Sequence, residues 1–186
     1  MPYDFGGKFE SGLTYKAFLD RYASAEHRQR WDDTYAAIKL TLDQRSLLET
    51  FVREMKVLVL TGAWCGDCIN QCPAFERFAE ITPTIKVRYF DRDVDSDVAA
   101  ELHTCGAPRV PCVVFLSEDG QFCGRYGDRT LSKYRKVMGN VGSTCPTGLL
   151  TAEDERNAVV QDWLNEFERI HAMLRTSSRL RQKHGD

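Results

Sequence analysis

The chain has 186 residues, enough for one compact domain with a proper core, and length alone asks for no second one. Its 25 Lys and Arg against 27 Asp and Glu leave a net charge of −2, so nothing points to nucleic acid or an anionic membrane as a partner. No apolar run approaches the ~20 residues of a membrane span, and Met1-Pro2-Tyr3-Asp4-Phe5-Gly6-Gly7 lacks the basic start and apolar core of an export signal, so a cytoplasmic location is expected.

Residues 11–54 read as helical. Tyr15, Phe18, Leu19 and Tyr22 have helical spacing, as do Trp31, Tyr35, Ile38 and the apolar stem of Lys39. Leu47, Leu48, Phe51 and Val52 continue the pattern in a third helix, with Asp43 near its start. Val57-Leu58-Val59-Leu60 is then a short apolar, β-branched run of the kind buried in mid-sheet. Thr61-Gly62-Ala63 is a turn of small residues, and Trp64-Cys65-Gly66-Asp67-Cys68 follows it. From 66 to about 80 the chain reads as a helix, with Ile69, Cys72, Phe75, Phe78 and Ala79 on one side.

Residues 85–90 alternate as a strand and run into the acidic turn Asp91-Arg92-Asp93-Val94-Asp95, before a short helix over 96–102. A loop over 103–109 leads through Val110-Pro111 to an apolar strand over 112–116. Glu118-Asp119-Gly120 is a tight-turn signal, 121–126 returns as a second strand, and Gly127 closes it. A helix over 130–138 and a Gly/Ser/Thr/Pro loop over 139–148 come next. Thr151 with Asp154 makes a capping-type start for a long helix carrying Val159, Trp163, Phe167, Ile170 and Leu174. The polar, basic tail is expected to fray. Residues 1–54 are assigned to an N-terminal helical extension packed on the core, 55–138 to the core, and 139–186 to a loop and C-terminal helix.

Over 55–138 the order is β-α-β-α-β-β-α, with a parallel pair, an antiparallel edge and helices covering a mixed sheet. With the Cys pair at the first strand-to-helix turn, this stretch resembles the thioredoxin superfamily. Trp64-Cys65-Gly66-Asp67-Cys68 is similar to the thioredoxin pattern Trp-Cys-Gly-Pro-Cys, with Asp67 in place of proline. Pro73 matches the proline that kinks the active-site helix. Val110-Pro111 matches the apolar residue and cis-proline that face the disulfide, and Gly127 matches the glycine ending the last strand beside the site. The helical ends lie outside the resemblance; they resemble those of bacterial thioredoxin-like proteins with Trp-Cys-Gly-Asp-Cys centres. The resemblance implies an α/β, thioredoxin-like fold, here with N- and C-terminal helical extensions. Two departures stand out: Val59 replaces the family's buried carboxylate, and Cys112 replaces the usual Thr after the proline.

Cys65 at a helix N-terminus meets unpaired N–H groups and the macrodipole, which favour a thiolate and mark it as the nucleophile. Cys68, one turn on, is the resolving thiol. Asp67 disfavours the neighbouring Cys65 thiolate, which tilts the couple towards reductant, and it stands in part for the missing proton acceptor of Cys68. The resemblance implies substrate contacts at Trp64, Gly66, Val110 and Pro111. The plain alternative for the pair is half a zinc site, which normally needs a second, similarly spaced pair. Seven cysteines, an odd number, suit reduced thiols with one cycling pair. Cys72 reads as a small core residue, with a third redox thiol or a metal ligand as the sharper option. Cys112 reads the same way unless the proline turn brings it to the pair, and Cys105, Cys123 and Cys145 read as incidental.

Asp91, Asp93, Asp95 and Asp97 imitate a calcium loop without its glycine and closing glutamate, so a solvated turn is expected. Arg125, Arg129, Arg135 and Lys136 near the site rim read as a solvated face, with an acidic partner as the sharper option. The expectation is an enzyme, a thiol-disulfide oxidoreductase that reduces protein disulfides. It needs no cofactor beyond a Cys65–Cys68 disulfide and no metal. Its partners are a protein or small-thiol disulfide substrate and a recharging reductase. The alternative is a thioredoxin-fold protein-binding module with regulatory or metal-binding thiols.

Overall fold

The computed structural model describes residues 3–140 and 152–186. Four helices precede the sheet: α1 (Phe5–Phe9), α2 (Tyr15–Tyr22), α3 (Ala25–Ala37) and α4 (Leu42–Glu49). The three helices expected over 11–54 are present as α2, α3 and α4, each begun by a hydroxyl cap. Thr14, Ser24 and Thr41 each accept from the amide three residues on, at 3.3, 3.1 and 3.2 Å. Gln44 returns a bond to the Thr41 amide and completes a capping box. Phe51 and Val52 therefore lie past α4 rather than in it. The short α1, its glycine pair held by the Asp4 carboxylate on the Gly7 amide at 2.9 Å, lies outside the expected run.

The remaining elements are β1 (Met55–Thr61), α5 (Gly66–Gln71), α6 (Pro73–Ile81), β2 (Ile85–Asp91), α7 (Ser96–Glu101), β3 (Cys112–Ser117), β4 (Phe122–Gly127), α8 (Leu131–Asn140), α9 (Ala152–Thr176) and α10 (Ser178–His184). Pro73 lacks an amide donor and divides the Cys helix into α5 and α6. The four strands lie in the order β2-β1-β3-β4, with β2 parallel to β1, and β3 and β4 each antiparallel to its neighbour. This is an α/β, thioredoxin-like sheet with helical extensions. Leu13 pairs with Tyr89 on the open side of β2 through two backbone bonds of 2.8 and 3.0 Å, so the edge is partly covered.

The pleat separates two buried faces. Thr61, Tyr89 and Phe115 face α6 and α9, where they meet Cys72, Glu76 and Phe167. Lys56 and its neighbours on the other face meet α1, with the Lys56 ammonium 5.4 Å from the Phe9 ring. On α9, the buried Trp163 stands edge-on to Phe75 at 4.7 Å, and Phe167 packs against Phe75, Phe78 and Phe115 at 5.7, 5.2 and 5.2 Å.

The tail does not fray as expected. Ser177 caps α10, Leu180 is buried, and Lys183 and His184 reach Glu118 at 2.5 and 2.8 Å while Arg179 pairs with Asp119. The basic residues of the tail thus meet the two acids of the β3–β4 turn. Helix α8 continues through 139 and 140; the rest of the expected 139–148 loop, Cys145 and the Thr151 cap lie outside the described residues. Among the described residues no helix is long and apolar enough to cross a membrane.

Candidate functional site

Strand β1 delivers the chain to the site, and Gly62 and Ala63 turn it out of the sheet. Gly62 has no room for a side chain, since a β-carbon would stand 2.9 Å from the Trp64 ring folded over it. Trp31 of α3 donates its indole N–H to the Ala63 carbonyl at 2.9 Å, which fixes the residue ahead of Trp64. Trp64 is 43% exposed, and the Arg92 guanidinium, one residue past β2, lies 4.5 Å from its ring.

Cys65 is the N-cap of α5, and its carbonyl accepts the first helical bond from the Ile69 amide at 2.9 Å. Its sulfur donates to the Val110 carbonyl at 3.6 Å, and the Val110–Pro111 peptide is cis. Cys65 keeps 9% of its surface exposed, whereas Cys68 and Cys72 keep none. The order of exposure within the pair is the one expected. All six described cysteines are free thiols.

The stabilised Cys65 thiolate expected from the helix end is not found. Its hydrogen bond with Cys68, and burial after that, push the Cys65 thiol far up, against the pull of the Cys68 and Asp67 amides. Two amides of a six-residue helix do not offset desolvation. Burial likewise drives Cys68 up, and its thiol is shared between Cys65, Cys72 and Thr61. Behind it the Thr61 hydroxyl meets the Cys72 sulfur at 3.7 Å.

One turn further, Glu76 accepts a 2.9 Å bond from the Tyr89 hydroxyl. Burial pushes the Glu76 carboxyl up to about 7, with the Tyr89 bond opposing. The Tyr15 ring lies 5.8 Å from that of Tyr89, and its hydroxyl is buried with no hydrogen-bond partner. Cys65, Cys68, Cys72 and Glu76 recur at helical spacing on one face, so a carboxylate ends the line of thiols. The readable signal was Glu76 itself, an acid on the apolar side of α6.

Asp67 is an ion-pair partner at the rim. The Arg129 guanidinium donates to its carboxylate at 2.8 and 2.7 Å, and Lys133 lies 3.9 Å away while also holding Glu155 at 3.0 Å. Its charge is compensated there, which removes the basis for a bare acid opposing Cys65. Arg129 and Lys136 are likewise not a loose solvated face, since Lys136 pairs with Glu155 and Arg125 donates to the His103 carbonyl at 3.0 Å.

A buried relay ties α5 to the sheet and to α9. Gln71 donates to the Asp128 carbonyl at 3.1 Å and accepts from the Trp163 indole at 3.0 Å. Asp128 is held by Tyr134 and by Arg109 at 3.5 Å. Gly127, at φ +125°, allows the end of β4 to close on Pro111: a β-carbon would stand 2.3 Å from the Pro111 carbonyl oxygen. Cys112 pairs across from Leu60, on the face opposite Thr61 and Cys72, and burial holds its thiol up at about 11. The proline turn therefore does not aim Cys112 at the pair. In the 91–97 turn, Asp95 and Asp97 pair with Lys8 at 3.5 and 3.0 Å. Among the described residues no group of three or more His, Cys, Asp or Glu is arranged to hold a metal ion.

Geometry thus brings Trp64, Cys65, Gly66, Asp67, Cys68, Val110 and Pro111 together at one end of the central strands β1 and β3. A family model described as thioredoxin matches residues 12–138. Among solved structures, a Pseudomonas aeruginosa protein of unknown function is similar at 16% identity with a TM-score of 0.64, over 88% of this chain and 99% of that one. An HIV epitope scaffold is similar at 17% identity and a TM-score of 0.63, again over 88% and 99%. A Fasciola hepatica thioredoxin is 24% identical over 53% of this chain and 90% of its own, with a TM-score of 0.36. No curated protein matches the chain.

Proposed function

The chain belongs to the thioredoxin family, and from that we propose that it reduces protein disulfides through a Cys65/Cys68 dithiol. The observation that carries this reading is the unequal exposure of two adjacent thiols, one with a small opening to solvent and one sealed behind it. Cys65 as thiolate attacks one sulfur of the substrate disulfide, and the other substrate sulfur leaves and takes up a proton. Cys68, sealed from solvent behind Cys65, then loses its proton and attacks the Cys65 sulfur. The second substrate thiol leaves, a Cys65–Cys68 disulfide remains, and two electrons have passed to the substrate. A recharging reductase or small thiol returns the pair to the dithiol.

The substrate chain lies along Trp64, Gly66, Val110 and Pro111, in a reducing, cytoplasmic setting, and no cofactor beyond the disulfide is involved. Insulin reduction tests this. Turnover should vanish in Cys65→Ser and persist in Cys105→Ser, which alters an exposed cysteine of a loop. No turnover by the unaltered chain would favour a binding module with regulatory thiols instead.

A further inference from the structure

The opening over Cys65 is ringed by arginines from four separate elements. Arg30 of α3 has its Nη2 4.0 Å from where a Gly66 side chain would begin, is exposed, and has no ion-pair partner among the described residues. Arg92 lies on the Trp64 ring. Arg109 directly precedes Val110, whose carbonyl holds the Cys65 thiol, and is 43% exposed. Arg129 stands over Asp67. Two of the acids on this rim are recessed: the Asp67 side chain is 20% exposed and that of Asp128 5%, each behind its arginine. The third, Asp93, is 55% exposed and its charge is paired with Arg92 at 2.9 Å.

An approaching chain therefore meets the exposed guanidinium groups of Arg30 and Arg109 at the opening, although the whole protein carries −2. Each guanidinium has five N–H donors in a planar fork, and the contacts above use only some of them. Cations beside Gly66, Trp64, Val110 and Asp67, together with an exposed indole, suit an extended chain running past Cys65 in both directions. A small anionic disulfide could touch only one or two of them. Resting on the dithiol reading above, we infer that the preferred substrates are disulfides in acidic protein segments, with Asp or Glu on either side of the cysteine. Carboxylates take the free guanidinium donors, and a basic segment is repelled.

The test uses synthetic peptides with one disulfide, flanked by Glu, by Ser or by Lys, and the full chain as dithiol. At low salt the Glu peptide should be reduced on the order of tenfold faster than the Lys peptide, and the gap should close at high salt. Arg30→Glu and Arg109→Glu should each narrow the gap, whereas Arg45→Glu, on exposed α4 away from the site, should leave it unchanged. Equal rates for all three peptides would overturn the inference and leave disulfide reduction standing, as would a gap that neither rim variant alters. Reduction of none of the peptides would overturn both.

Discussion

Replacing Glu76 by Gln should stabilise the protein at alkaline pH and do little in acid. The carboxyl lies against Tyr89 behind the thiols, and burial raises it from 4.5 to about 7, with Glu80 adding to the rise and Tyr89 and Arg88 opposing it. Between those values the folded chain keeps a proton that the unfolded chain has released. Stability therefore falls as pH rises through this interval and levels off above it. At about 1.4 kcal/mol per pH unit, the gap amounts to about 3 kcal/mol. Gln still accepts the Tyr89 hydroxyl and never ionises. For a chain of this length, thermal unfolding at about pH 8 should shift upwards by about 6–12 °C, and at about pH 4 by almost nothing. An equal gain at both values, or a loss at the higher one, would show that Glu76 ionises in the fold much as it does in water.

Three further outcomes are expected. Asp67→Asn should barely move the Cys65 thiol, because Arg129 already balances the carboxylate, whereas Arg129→Gln should raise it. Alkylation rate against pH measures both, and a larger effect from Asp67→Asn would contradict the pairing. Gly127→Ala places a β-carbon 2.3 Å from the Pro111 oxygen at a φ of +125°. It should cost about 3 kcal/mol or more in urea unfolding. The His171 ring accepts from the Val52 amide at 3.1 Å and stacks on Phe51, and burial, with Arg175 and Arg53, lowers its pKa below 6.5. Its contribution is complete above about pH 6.5 and is lost as pH falls through the lowered value. In His171→Phe the acid-side decline in melting temperature should flatten, and an unchanged profile would count against that role.

The sheet and its turns were legible because each strand of 55–138 is a short apolar or alternating run between Gly, Pro or acidic breaks. Cys65 and Cys68 were legible from the strand before them and the helix after them. The charge state of the site was not. Whether Asp67 stands bare or paired depends on Arg129, 62 residues away, and local spacing carries no trace of that. Nor does a helix-end argument know that Cys65 is nine-tenths covered. The three caps within 11–54 were readable in principle, since Thr14, Ser24 and Thr41 are the residues that begin helices. Periodicity alone marked three helices without fixing where each begins and ends. The basic tail read as frayed because its partners, Glu118 and Asp119, come from a distant turn.

Trp31 and Trp163 grip the same short stretch of chain from opposite ends of the protein, one at Ala63 and the other at Gln71. Synthesis runs from the N-terminus, so Trp163 leaves the ribosome 92 residues after Gln71. Until then Phe75 and Phe78 lack the ring of Phe167. The packing around the centre is thus complete only when helix α9 docks.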